Sequence, residues 1–170
     1  MKVTICAATS VDGFIATKDG NSDWVLDDAI FEKSVQDFGC IVLGNTTFEQ
    51  YRDDMYPIKG VEHIVLSASE QKSDYPNVTY AGSPQEAIKL AEQKGFDGLL
   101  CIGGSKTNES FIRVGLVDTV IIDLHPLILG EGKKVFGDFA DKLELEQIES
   151  SPQPEGFTHI VYNVKRRGDS

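Results

Sequence analysis

Two stretches of this chain set glycine between an apolar run and a helix-forming run, an arrangement suited to binding phosphate. In Ile41-Val42-Leu43-Gly44-Asn45-Thr46-Thr47-Phe48-Glu49, Gly44 admits close backbone approach, and the amides of Asn45 to Thr47 open a helix whose start attracts an anion. The hydroxyls of Thr46 and Thr47 add donors. In Leu100-Cys101-Ile102-Gly103-Gly104-Ser105-Lys106-Thr107, paired glycines let a pyrophosphate lie on the backbone, with Lys106 as a counter-charge. Neither has the full G-x-G-x-x-G spacing, so each alone reads equally well as a capped helix or a tight turn. Two in one chain make the stronger signal. A third stretch runs from Ala7 to Ala16: Ala7 and Ala8 leave room for a flat ring, and Asp12-Gly13 marks a turn between a strand and a hairpin.

Acid–base chemistry has one evident source, Asp27-Asp28 at the head of a helical pattern, with Trp24 before it and Phe31 after it. In a pocket that raised its pKa, either Asp could polarise a heterocycle or relay a proton. Trp24 and Phe31 could stack a planar substrate. The plainer reading is an acidic pair favoured by the helix dipole beside two core aromatics. His63, His125 and His159 are scattered without metal-ligand spacing, and His125-Pro126 at a strand end reads as structural. With neither a Ser-His-Asp order nor a P-loop, hydrolase and kinase readings have no support.

The elements that must position these groups alternate. Strands are expected at Val3–Thr9, Cys40–Leu43, His63–Leu66, Val78–Tyr80, Leu99–Ile102, Val117–Leu124, Leu143–Ser150 and Thr158–Lys165. Several are apolar throughout, as central strands covered on both faces are. Helices are expected from Asp27 to Phe38, Thr46 to Tyr51, Thr107 to Val114, and from Ser83-Pro84-Gln85-Glu86 to Gly95, where an N-cap, a first-turn Pro and a Glu coincide. Helices between the early strands imply parallel crossovers, and the last two strands have none between them. The expectation is an α/β fold over residues 1–170 as one domain: a mostly parallel eight-stranded sheet flanked by four helices, with an antiparallel C-terminal edge.

Composition narrows the partners. Sixteen Lys and Arg against 27 Asp and Glu give a formal charge of −11, a field that repels nucleic acid and anionic membranes. Hydrophobic residues at 41% and charged residues at 25% are those of a globular chain. No run reaches the roughly 20 apolar residues of a membrane span, and MKVTICAATS shows no cleavable leader. Cys6, Cys40 and Cys101 form no C-x-x-C and read as buried reduced thiols, so a cytoplasmic setting is expected.

Taken in order, Ser10-Val11-Asp12-Gly13-Phe14-Ile15-Ala16, Leu43-Gly44-Asn45-Thr46-Thr47-Phe48-Glu49, Ile64-Val65-Leu66-Ser67, Ile102-Gly103-Gly104, and Gly115-Leu116-Val117-Asp118 through His125-Pro126-Leu127-Ile128-Leu129-Gly130-Glu131-Gly132 resemble the dihydrofolate reductase fold family, including the reductase domain of bifunctional riboflavin-biosynthesis deaminase-reductases. The resemblance covers nearly the whole chain. It implies a nicotinamide-dependent reductase with NADPH as the usual cofactor. By it, Ala7, Ile15 and Ala16 line the nicotinamide pocket, and Gly44, Asn45, Thr46, Thr47, Leu66 and Ser67 hold the adenosine side. Gly103, Gly104, Ser105 and Thr107 take the pyrophosphate, and Ile102 before them is a further cofactor contact.

The folate branch has a basic residue where this chain has Asn45, which leaves Lys72 or Arg52 to meet a 2′-phosphate. The riboflavin branch has an acidic residue where this chain has Ile102. The expected substrate is a small heterocycle reduced as 5-amino-6-(5-phosphoribosylamino)uracil is, with Trp24, Phe31 and Asp12 as substrate contacts and Asp28, four residues after Trp24 and one turn before Phe31, expected ahead of Asp27 as the acid. Dihydrofolate reductase activity is the alternative, and a non-catalytic dinucleotide-binding protein is the alternative of another class. A homodimer is admitted.

Overall fold

In the computed structural model, which describes residues 1–166, the elements run β1 (Lys2–Thr9), β2 (Phe14–Ala16), α1 (Ala29–Phe38), β3 (Cys40–Gly44), α2 (Asn45–Gln50), β4 (Glu62–Leu66), β5 (Val78–Ala81), α3 (Pro84–Gln93), β6 (Gly98–Cys101), α4 (Ser105–Arg113), β7 (Thr119–Leu124), β8 (Lys133–Lys134), β9 (Leu145–Pro152) and β10 (Thr158–Val164). Eight of the strands form one sheet in the order β5-β4-β3-β6-β1-β7-β10-β9. From β5 to β7 all neighbours are parallel, while β10 runs antiparallel to both β7 and β9. This is the mostly parallel sheet with four helices and an antiparallel edge that the sequence pattern predicts.

The apolar runs explain the layering. In β3, Cys40, Ile41, Val42 and Leu43 are all fully buried, since the sheet is covered on both faces. Ile41 and Leu43 pack with Phe31 and Val35 of α1 and Phe48 of α2. Cys40 and Val42 pack on the other face with Ala87 and Ala91 of α3 and Phe111 of α4. All three cysteines are buried and free, the state the sequence suggested.

The helix ends follow local chemistry. The Ser83 hydroxyl accepts from the Glu86 amide at 3.1 Å, and the Glu86 carboxylate turns back to accept from the Gly82 amide at 2.7 Å. α1 begins at Ala29 rather than Asp27, because Asp28 is its N-cap. α4 begins at Ser105, two residues before the expected Thr107, because Gly104 ends the turn.

Two short strands, β2 and β8, lie outside the apolar runs that mark the other eight. β2 does not lie back along β1 as a hairpin; it pairs with β8 as a separate ribbon. The buried Ser10 turns the chain, its hydroxyl accepting from the Phe14 amide at 3.0 Å, and so directs β2 away from the sheet. β9 begins at Leu145, not Leu143, and is exposed along most of its length.

Phe111 is fully buried beneath the sheet and Ile148 is 54% exposed on β9. Phe111→Ala should cost about 3–5 kcal/mol in denaturant unfolding, and Ile148→Ala should stay within about 0.5 kcal/mol of wild type.

Candidate functional site

Because β3, β6 and β1 are parallel neighbours, their C-terminal ends open on the same side. The two glycine turns therefore meet: the Gly44 amide donates to the Gly103 carbonyl at 2.9 Å. A Cβ on Gly44 would stand 2.6 Å from the Thr107 hydroxyl oxygen, so α4 sits against the end of β3 as closely as backbone allows. The Gly103–Gly104 peptide is cis.

Over these turns lies a cavity of about 1270 Å³. Ala7, Ile15 and Ala16 line one part of it, Gly44 through Thr47 and then Leu66 and Ser67 another, and Ile102 through Ser105 with Thr107 the floor between. Every residue that the resemblance implies for the cofactor thus faces one space. Two of their polar atoms, Asn45 Oδ1 and Ser105 Oγ, are buried without a hydrogen-bond partner. Buried polar groups ordinarily find partners, so two orphans on the wall of one cavity point to a polar ligand there.

α4 starts on Gly104 with no side-chain cap and no acidic residue in its first turn, leaving its amides open to an anion. α2 has only six residues and its contribution is through side chains and the Gly44 approach rather than a helix dipole. The residues present therefore fit a dinucleotide. Its far end is uncharged: Ser67, Ser69 and Gln71 line the cavity after β4, and Lys72 and Arg52 do not. Arg52 is held by Glu49 at 2.6 Å and lies over the rings of Phe48 and Tyr75. The lysines that do line the cavity are Lys106, Lys133 and Lys134.

The expected substrate residues divide. Asp28 and Phe31 line the cavity. Asp27 is exposed outside it, because the helix starts after Asp28 and turns Asp27 to solvent. Trp24 packs edge-on against His125, with ring centroids 5.5 Å apart, and does not line the cavity. Asp12 is exposed, and its carboxylate accepts from the Ser10 hydroxyl at 2.6 Å and from the amides of Leu129 and Gly130 at 3.1 and 2.8 Å. Those bonds hold its pKa below the usual carboxylate value, the Ser10 hydroxyl foremost. Asp12 pins a loop and does not face the cavity.

One residue was missed. Asp123 on β7 is 1% exposed and accepts a hydrogen bond from His159 Nδ1 at 2.7 Å. Burial first, then the hydrogen bond and charge of Asp28, push its carboxyl up to about 8. The cue was present: a carboxylate in the otherwise apolar run Val120-Ile121-Ile122-Asp123-Leu124 needs a reason.

Known proteins share the sequence pattern and fold of this chain. The RibD C-terminal domain family matches residues 1–158. The uncharacterized protein YyaP of Bacillus subtilis (strain 168) is 26% identical over 95% of this chain and 94% of its own. A candidate riboflavin biosynthesis protein from Shewanella sp. PV-4 superimposes with a TM-score of 0.84 at 27% identity, covering 98% of this chain and 100% of that one. A diaminohydroxyphosphoribosylaminopyrimidine deaminase/5-amino-6-(5-phosphoribosylamino)uracil reductase from Thermotoga maritima shares the fold at 18% identity, with a TM-score of 0.74 over 96% of this chain and 56% of that one.

Gly44→Ala puts a methyl where the Thr107 hydroxyl stands. With NADPH as the probe, wild type should gain melting temperature and the variant should not, and adding Thr107→Ala should recover part of the gain. An unaltered rise in Gly44→Ala would remove this junction from the site.

Proposed function

The chain belongs to the RibD C-terminal domain family, and from that membership we propose that it is a nicotinamide-dependent reductase of a small heterocycle, taking NADPH. Among named activities, reduction of 5-amino-6-(5-phosphoribosylamino)uracil is the preferred one. The observation that carries the reading is a single cavity joining the two glycine turns, with their orphaned Asn45 and Ser105 oxygens, to the carboxylate of Asp28. Dihydrofolate reduction is the second reading, favoured by a carboxylate at the head of the first long helix and by Ile102 before the paired glycines.

When bound, NADPH supplies a hydride from C4 of its nicotinamide ring. The chain's own part is to bind, orient and protonate. Gly103, Gly104 and the amides opening α4 would hold the pyrophosphate, with Ser105 Oγ as donor and Lys106 as counter-charge. Gly44 to Thr47 with Ser67 would take the adenosine half. Ala7, Ile15 and Ala16 leave a flat apolar slot for the nicotinamide, and Phe31 lies beside Asp28 to cover a planar substrate. Fixing two rings face to face is itself a large share of such catalysis.

The test is a panel of heterocycles, 5-amino-6-(5-phosphoribosylamino)uracil and dihydrofolate included, followed by loss of the reduced-nicotinamide absorbance. Turnover of either substrate selects between the readings, and NADPH binding without turnover on any substrate would leave a non-catalytic dinucleotide-binding protein. With the substrate that turns over, Asp28→Asn should lower kcat about a hundredfold, whereas Asp27→Asn, whose side chain points to solvent, should change it little.

Cofactor choice gives a second check. With no cation lining the cavity beyond β4, preference for NADPH over NADH should be modest in wild type. Asn45→Arg should add a charge-assisted bond worth about 1.5–3 kcal/mol and tighten NADPH selectively in a calorimetric titration. A wild-type preference already near a thousandfold would contradict this.

A further inference from the structure

Asp28 is backed by a second carboxyl that no solvent reaches. Asp123 is 1% exposed and holds His159 Nδ1 at 2.7 Å, and burial together with the neighbouring Asp28 favours its protonated form. Neighbouring carboxyls resist carrying two negative charges, so one of them keeps its proton.

Their surroundings decide where the proton and the charge sit. Asp28 is the N-cap of α1: its Oδ1 accepts from the Phe31 amide at 2.7 Å, at the helix end that favours a negative charge. Asp123 lies between Ile122 and Leu124 in the sheet, where an isolated charge is costly. The charge therefore belongs to Asp28 and the proton to Asp123, whose O–H donates to Asp28 while its other oxygen accepts from His159.

The other titratable groups facing the pair do not compete. Cys6 on β1 is a thiol raised above all by burial and further by its acidic neighbours Asp123 and Asp28, so it stays neutral. His125 Nε2 accepts from the Leu26 amide at 3.2 Å, which leaves its Nδ1–H to donate to the Asp123 carbonyl at 2.8 Å. Both of its nitrogens are thereby engaged.

We propose that Asp123, oriented by His159, is the proton store of this site and delivers through Asp28 the proton that the reduced heterocycle takes up. The proposal rests on the reductase reading. When hydride arrives at the carbon of a C=N bond, the π electron pair moves to nitrogen. The Asp123 O–H breaks as its proton passes to Asp28, and Asp28 hands that same proton to the nitrogen as the N–H bond forms. The substrate gains a hydride and a proton, the pair is left with one more negative charge, and the oxidised nicotinamide carries the matching positive one. Water reprotonates the pair after product leaves. Asp123 is thus a positioning and relay residue, and Asp28 is the catalytic one.

The experiment begins on the protein without cofactor. A carboxyl raised in the folded state gives stability that is fully present below its unfolded value, about 3.9, and lost as pH rises through its folded value, about 8. The melting temperature of wild type should therefore fall across that window relative to Asp123→Asn, whose amide keeps a donor toward Asp28 and an acceptor toward His159. Infrared spectra at neutral pH should show a protonated carboxyl in wild type that is missing in Asp123→Asn. Asp28→Asn preserves the cap and removes the neighbouring charge, so in it the band should vanish at lower pH; this second variant decides the matter if Asp123→Asn does not fold.

With the heterocycle that turns over, Asp123→Asn should lose about a hundredfold in kcat with KM within a few-fold, and a purely packing role would not separate the two. Two ionised carboxyls beside a His159 imidazolium at neutral pH would overturn the assignment, and so would a full kcat in Asp123→Asn. A wild type that shows the band but reduces no heterocycle would instead refute the reductase reading, and the proton's role with it.

Discussion

The hydrogen bond from the Gly44 amide to the Gly103 carbonyl, 2.9 Å long, joins the ends of two neighbouring strands just where each gives way to a helix. It exists because β3 and β6 are parallel and in register there, with Ile41 opposite Leu100 and Val42 opposite Cys101. Parallel pairing puts both strand ends on one side of the sheet, and glycine at each end removes the side chains that would hold the turns apart. The floor of the cavity, the open amides of α4 and the orphaned oxygens of Asn45 and Ser105 all depend on that close approach.

The other end of the cavity depends on a helix start. Asp28 stabilises α1 as an ordinary N-cap, and the same carboxylate forms part of the cavity wall and helps to raise the Asp123 carboxyl. A buried diacid destabilises a fold at neutral pH. Here it sits under α1, on the sheet face formed by Cys6, Ile121 and Val161. The surrounding apolar packing offsets that cost, as strained or ill-solvated groups at working sites generally require.

Charge shapes the approach to this site. A chain at −11 repels polyanions at long range, yet Lys106, Lys133 and Lys134 gather on the cavity wall near α4 and the β2–β8 ribbon. Short-range donors there work against an unfavourable mean field, so binding of an anionic ligand should depend on preformed geometry more than on steering. The ribbon's own position is set by Asp12, which fastens the Leu129–Gly130 loop to the β1–β2 turn. That is the work of a residue whose sequence context suggested a substrate contact.

The sequence by itself determined the layers, the strand sites and most of the cavity floor. Apolar runs such as Cys40-Ile41-Val42-Leu43 have only one way to be buried on both faces, and glycine between a strand and a helix is legible wherever the chain is read locally. Spacing from Trp24 and Phe31 put Asp28 ahead of Asp27, but that Asp28 caps the helix and lines the cavity while Asp27 turns to solvent depends on where α1 docks on the sheet. The sequence did not reveal the β2–β8 ribbon, since three residues and two residues carry no periodic pattern. Asp123 and His159 stood in plain view in two apolar strands, but their partnership is a matter of register: β7 and β10 pair antiparallel with Asp123 opposite His159. Only the assembled sheet brings that pair beneath Asp28, because hydrogen bonding between buried groups distant in sequence is decided by packing and not by local preference.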